Sequence, residues 1–178
     1  MGEVEELVTL LRETRDAFDH ALVGLMPAQW TFKPGPTRWS IFEVVEHVAT
    51  VETGAAQLVS GRLISRPATE QQKAEARGKD LVIVQTMKDR GRPMEAPEFV
   101  RPSGRWPSPA AAVAAFQESR ERMIALLGRL AGNLRDYCAP HASLGILDGY
   151  QWMLFVGTHL ARHTEQIAEI KVTPGFPR

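Results

Sequence analysis

The chain of 178 residues is long enough for one domain, spanning 1–178, that buries most of its apolar surface. Lysine plus arginine number 21, as do aspartate plus glutamate, and no block of like charge stands out, which argues against a dedicated nucleic-acid or anionic-membrane surface. A neutral chain repels itself weakly, so a homodimer is expected. The single cysteine, Cys138, excludes an intramolecular disulfide, and no apolar run approaches the ~18 residues of a membrane span. With an acidic start, Glu3-Val4-Glu5-Glu6, instead of a basic leader, these features predict a cytoplasmic protein.

Residues 3–25 carry Val4, Leu7, Leu11, Phe18, Leu22 and Leu25 at the 3.6 period and predict a first amphipathic helix. Pro27 predicts its end, and Pro34, Gly35 and Pro36 predict a loop whose Trp30, Phe32 and Trp39 pack on one end of the fold. Ser40 and Glu43 form a capping box for a second helix over 41–59, with Ile41, Val44, Val45, Val48, Val51, Ala55 and Leu58 inward and His47 at the margin of that face. Residues 61–107 predict a long crossover. Within it Leu81–Met87 is expected to be a short helix instead of a strand, while Pro93, Pro97, Pro102, Gly104 and Pro107 prohibit regular structure.

Ser108 as N-cap and Pro109 at the first helical position open a third helix to about Leu130, with Val113, Phe116, Met123, Ile124, Leu127 and Leu130 inward. Residues 132–147 predict a loop. Asp148, answered by Gln151, caps a fourth helix that runs to about Lys171. The fold class expected is all-α, a four-helix bundle with one long crossover between its second and third helices.

His159 and His163 lie one turn apart on one face of the fourth helix, in line with Trp152, Phe155, Val156, Ile167 and Ile170. An inward imidazole must satisfy two ring nitrogens. A divalent ion does so: Zn²⁺ takes neutral imidazole nitrogens at ~2.0–2.1 Å, the pair supplies two, and His47 on the second helix supplies a third. Three protein ligands leave a coordination position open for water or substrate. At 1.5 Å per residue His47 lies ~9 Å from the start of its helix and His163 and His159 ~12 and ~18 Å from the end of theirs, levels that agree if the two helices run antiparallel. From residue pattern alone a second reading stays open, in which these are core histidines hydrogen-bonded to bundle neighbours.

Other residues cluster around that trio. Gln166 follows His163 by three on the same face and can orient it, and Glu43 one turn before His47 can do likewise, although capping already accounts for it. Trp39, His141 and Arg162 are candidates for a substrate pocket. Cys138 lacks a neighbour that would lower its pKa and reads as structural. His20 reads as solvated, and Arg90, Arg92, Arg101 and Arg105 either hold an anionic substrate or belong to a solvated loop.

The capped W-S-I-x-E-x-x-E-H segment, Trp39 to His47, together with the H-x-x-R-H-x-x-Q-I segment, His159 to Ile167, resembles the DinB/YfiT-like superfamily. Ala96-Pro97-Glu98 and Pro102-Ser103-Gly104-Arg105-Trp106 resemble its DinB-like 2 branch, and the likeness covers nearly the whole chain. It implies a four-helix bundle that binds a divalent metal through His47, His159 and His163; some relatives carry glutamate at the position of His159. Characterised relatives are thiol transferases and isomerases that use mycothiol, bacillithiol or glutathione.

Three functions follow as expectations. The first is a metal-dependent enzyme, a low-molecular-weight-thiol S-transferase or, within the same class, a hydrolase acting through activated water. The second is a bundle that binds a metal or small ligand without turnover, and the third a structural bundle that dimerises. Three imidazoles suit Zn or Ni, with Fe and Mn also compatible.

Overall fold

The computed structural model describes residues 2–61, 63–91, 94–129 and 132–178, with Ile64 described by its backbone alone. Four long helices form the frame: α1 (Glu3–Leu22), α3 (Ile41–Gly61), α6 (Pro109–Leu127) and α7 (Gly149–Lys171). Three short ones accompany them, α2 (Pro27–Thr31), α4 (Glu70–Ala76) and α5 (Asp80–Lys88), with 3₁₀ turns at Leu63–Ser65, Glu98–Val100 and Leu134–Asp136. No helix among the described residues is long and apolar enough to cross a membrane.

Helix direction follows from the two core clusters. One gathers Leu7 and Leu11, Ala55 and Val59, Met123 and Leu127, and Trp152 to Val156. The other gathers Phe18 and Leu22, Ile41 to Ala49, Ala112 and Phe116, and Leu160 to Ile170. The start of α1 therefore shares an end of the bundle with the start of α7 and the finishes of α3 and α6. Helices α3 and α6 are parallel and both oppose α1 and α7. A parallel neighbour cannot be reached by a short turn, because the chain must travel back the full length of a helix. That is why residues 62–108 form a crossover, and α5 lies along α7 on the way.

Several local expectations are corrected. Helix α1 stops at Leu22 and not near Leu25, because Gly24 adopts φ +73°, a left-handed conformation that ends the helix. Where a loop was expected, Pro27 starts α2: it sits at the first helical position and the Gln29 side chain accepts the Met26 N–H at 2.8 Å. Helix α3 runs on through Gly61, and α6 closes at Leu127; Leu130, expected to face inward, lies outside the described residues.

The expected loop over 132–147 contains a two-stranded antiparallel hairpin, β1 (Cys138–His141) and β2 (Gly145–Asp148), in register Ala139 with Leu147 and His141 with Gly145. The predicted caps are present at Ser40, Ser108 and Asp148, and the short helix over 81–87 is α5.

The interior also holds an ion pair. Arg120 is fully buried on α6 and its Nε and Nη2 donate to the two carboxylate oxygens of Glu52 on α3. Its Nη1 donates to Leu11 O at 2.8 Å and Thr14 Oγ1 at 2.9 Å on α1, and Nη2 lies 3.5 Å from Val156 O on α7. One guanidinium thus touches all four long helices.

Helices α1 and α7 approach closely at Gly157, where an added Cβ would sit 2.7 Å from Leu10 Cγ and Cδ2. Gly157→Ala is expected to lower stability by about 1–3 kcal/mol through overpacking, read as a lower urea midpoint, and Leu10→Ala in the same chain should return part of the loss. A silent Gly157→Ala would show that the Leu10 side chain turns aside or that the two helices separate.

Candidate metal centre

Two capping boxes set the ring positions. Ser40 and Glu43 fix the first turn of α3 (Glu43 N to Ser40 Oγ 3.2 Å, Ser40 N to Glu43 Oε2 2.8 Å), and His47 follows one turn later. Asp148 and Gln151 do the same for α7, which carries His159 and His163. All three imidazoles are buried, His47 included, although it was expected at the margin of its helix face. Because α3 and α7 are antiparallel, the rings meet. His47 Nε2 lies 3.2 Å from His159 Nε2, and His163 Nε2 lies 3.1 Å from the same atom.

The proton positions follow from the partners behind the rings. His47 Nδ1 is 2.8 Å from Val100 O, a carbonyl that can only accept, so Nδ1 carries the proton and Nε2 a bare lone pair. His163 Nδ1 is 2.8 Å from Gln166 Oε1, which assigns the same tautomer there. Two lone pairs therefore face His159 Nε2, and at most one proton is available among three nitrogens. Burial pushes all three imidazoles below their ordinary pKa, His159 and His163 well below it, and the neighbouring rings add to the effect for those two.

A cluster of bare, neutral donors suits a cation. Two nitrogens each ~2.05 Å from one ion at a tetrahedral angle would stand ~3.3 Å apart, within a few tenths of an ångström of the separations here. The residues present fit a divalent ion. Among the described residues no carboxylate or thiol joins the three histidines.

The cluster opens on a cleft of about 960 Å³ walled by α3, the crossover, the β1–β2 turn and α7. Its lining is largely aromatic near the histidines. Trp39 lies 5.0 Å from the His47 ring and Phe155 5.1 Å from the His159 ring, centroid to centroid.

Each remaining candidate has a definite place. Gln166 stands behind His163 as expected. Glu43 does not reach a histidine: its second oxygen takes Lys33 Nζ at 2.8 Å, so its carboxylate is spent on the cap and that lysine. Trp39, His141 and Arg162 all line the cleft. Arg162 is also a strut, since its Nη1 donates to Met87 O at 3.1 Å in the last turn of α5 and to Asp89 O at 2.6 Å just past it. Arg90 is paired with Glu169 and Arg101 with Glu95, while Arg92 lies outside the described residues. Cys138 sits in β1, its thiol raised by burial and by Asp148, which suits a structural residue.

His141 packs on Phe155 at 4.4 Å and Trp152 at 5.1 Å, and its Nδ1 accepts the Ser143 N–H. Burial pushes its pKa from 6.5 down to about 4. Between those values the unfolded chain binds a proton that the folded chain refuses, so stability falls as pH drops through that window. His141→Phe keeps an aromatic ring there and removes the titration; urea midpoints followed downward from neutrality should fall less steeply in the variant. An unchanged slope would mean that folding does not lower the pKa of His141.

Sequence reasoning assigned no role to Glu46. It is buried, and its Oε1 accepts both the Ser103 N–H at 2.9 Å and the Arg105 N–H at 2.7 Å, fastening the crossover to α3 beside His47. The signal was there: a Glu-His pair interrupts the apolar run Val44 to Ala49. Val100 was not foreseeable, because it contributes a backbone carbonyl.

Comparison with known proteins decides the family. The DinB superfamily pattern matches residues 10–167. The chain belongs to the DinB superfamily. It is 27% identical to the uncharacterized protein YuaE of Bacillus subtilis (strain 168) over 164 residues, which cover 92% of this chain and 96% of that protein. Its fold is similar to that of YfiT from Bacillus subtilis, described as a probable metal-dependent hydrolase with an unusual four-helix bundle topology. The TM-score is 0.66 at 18% identity, over 98% of this chain and 89% of that one. In this DinB-superfamily chain α3 runs parallel to α6, and both oppose α1 and α7.

Proposed function

We propose that this protein is a divalent-metal-dependent enzyme that transfers a low-molecular-weight thiol to an electrophile held in the cleft, with His47, His159 and His163 as the metal ligands. The observation that carries the reading is the convergence of the His47 and His163 Nε2 atoms on that of His159, at 3.2 and 3.1 Å, with the protons of His47 and His163 held on Nδ1. When bound, a divalent ion supplies Lewis acidity that lowers the pKa of a thiol or water placed on it. The chain does the rest. Val100 O and Gln166 hold two rings in the ligating tautomer, while Trp39 and Phe155 keep water from the ring faces. The cleft leaves one side of the cluster open to small molecules.

Thiol chemistry is favoured over hydrolysis because it asks less of the ion. Water must be brought down from a pKa of ~15.7, a task usually shared with a general base, whereas a free thiol starts near ~8.5. Hydrolysis is the second reading, because YfiT is described as a probable metal-dependent hydrolase. Zn or Ni suits three imidazoles, and Fe or Mn is the alternative. A cytoplasmic homodimer, working where small thiols stay reduced, completes the proposal.

The test loads the protein with each ion and offers an aryl halide electrophile with and without glutathione or cysteine, beside a panel of esters and amides. Thiol-dependent product that disappears in His159→Ala supports transfer. Product from esters or amides without thiol would replace it with hydrolysis, and retained metal with no turnover on either panel would leave a binding module.

A further inference from the structure

Four described arginines line the cleft, Arg38, Arg90, Arg105 and Arg162, against two glutamates, Glu95 and Glu169. Both glutamates are already matched, Glu169 by Arg90 and Glu95 by Arg101. Arg162 is committed to the Met87 and Asp89 carbonyls. Arg38 and Arg105 remain. Both are exposed, and among the described residues neither has a carboxylate partner; Arg105 Nη2 reaches only Phe99 O, at 3.5 Å.

Their backbones are nonetheless anchored around His47. Arg38 precedes Trp39, whose ring lies 5.0 Å from that of His47. Arg105 is fixed through its own N–H by Glu46, the neighbour of His47 in the chain, at 2.7 Å. The two form matching dipeptides, Arg38-Trp39 and Arg105-Trp106, and all four residues line the same cleft. A cleft that carries unmatched positive charge over apolar walls concentrates anions, and a guanidinium fork fits an oxyanion with two parallel hydrogen bonds.

We propose that Arg38 and Arg105 form an oxyanion-binding lip that holds the carboxylate or phosphate end of a substrate while its other end reaches the three histidines. This deepens the reading above, since it names the charge of the molecule that the site takes. The lip also gives the crossover a purpose: Glu46 fastens it by the Arg105 N–H, so that Arg105 lines the same cleft as Arg38. The two arginines are then specificity determinants, and the histidines do not depend on them.

The test is calorimetric titration at low salt into metal-loaded wild type and the double variant Arg38→Gln/Arg105→Gln, whose substitutions are both on the surface. The probes are 3-mercaptopropionate, 2-mercaptoethanol, 3-phenylpropionate and phenyl phosphate. Wild type is expected to bind 3-mercaptopropionate roughly fivefold or more tighter than 2-mercaptoethanol, the scale of a few charge-assisted hydrogen bonds at a wet rim. The double variant should lose that gap while keeping its metal content and its affinity for 2-mercaptoethanol. A gap that survives in the variant belongs to the ion and overturns the lip, as does no gap in wild type.

If neither thiol binds, thiol transfer fails but the lip is still read by the sulfur-free probes. Arginine-dependent binding of 3-phenylpropionate or phenyl phosphate upholds it, and the tighter of the two names the oxyanion. Binding that is absent in wild type, or equal in the two proteins, overturns it.

Discussion

His159→Ala is expected to leave the protein without stoichiometric divalent metal, where wild type should hold about one ion per chain. His159 is the member of the trio to remove, because its Nε2 is the atom that both other Nε2 atoms approach. Losing a group that merely orients a ligand costs ~10–100-fold in metal affinity, so losing the central ligand should exceed ~100-fold, with Gln166→Leu falling in the lower range. Stability gives a second reading. An ion at ~100 times its dissociation constant should stabilise wild type by ~2.7 kcal/mol, seen as a higher melting temperature, and should leave His159→Ala unmoved. Metal-free His159→Leu should be no less stable than metal-free wild type, since it removes a nitrogen that faces two lone pairs. A steep loss of stability there, with metal content unchanged, would make the trio a hydrogen-bonded core cluster instead.

The largest effect on folding is expected at Arg120. Arg120→Ala strands the fully buried Glu52 and frees the Leu11 carbonyl and the Thr14 hydroxyl, so unfolding in urea should show a loss of about 3–5 kcal/mol. Arg120→Met with Glu52→Leu removes both charges together and should recover most of that loss, because desolvating the pair offsets much of its attraction. If the double variant is as unstable as the single one, the guanidinium's bonds to α1 matter more than its charge. Wild-type stability for Arg120→Ala would mean that water enters the core to replace it.

The four long helices were legible because each carries a 3.6-residue period between its own start and stop residues, and capping boxes at Ser40 and Asp148 are local patterns. The histidine trio was legible for a related reason, since spacing on α7 and the level of His47 on α3 follow from helix geometry alone. What was missed is non-local. Glu52 and Arg120 interrupt apolar rows on two different helices, and neither row says that the charges meet. The hairpin hides because its strands are four residues each, with Pro140 in the first, so it shows no usable alternation. Helix α2 hides behind Pro27, whose role as a stop for α1 was clear and whose role as a start was not. Glu43 misled in the opposite sense, being close enough to His47 along the helix to suggest contact while its oxygens are held by Ser40 and Lys33.

The crossover reaches His47 through the carbonyl of Val100 and reaches Glu46 through the amides of Ser103 and Arg105. All three are main-chain groups: any residue at position 100 presents the carbonyl, and any residue but proline at positions 103 and 105 presents the amide. The segment can therefore exchange the side chains it shows to the cleft without disturbing the tautomer of His47 behind it. Such an arrangement separates the side chains that line the cleft from the backbone groups that hold α3 and His47, so that changes confined to a single strap alter the one and leave the other.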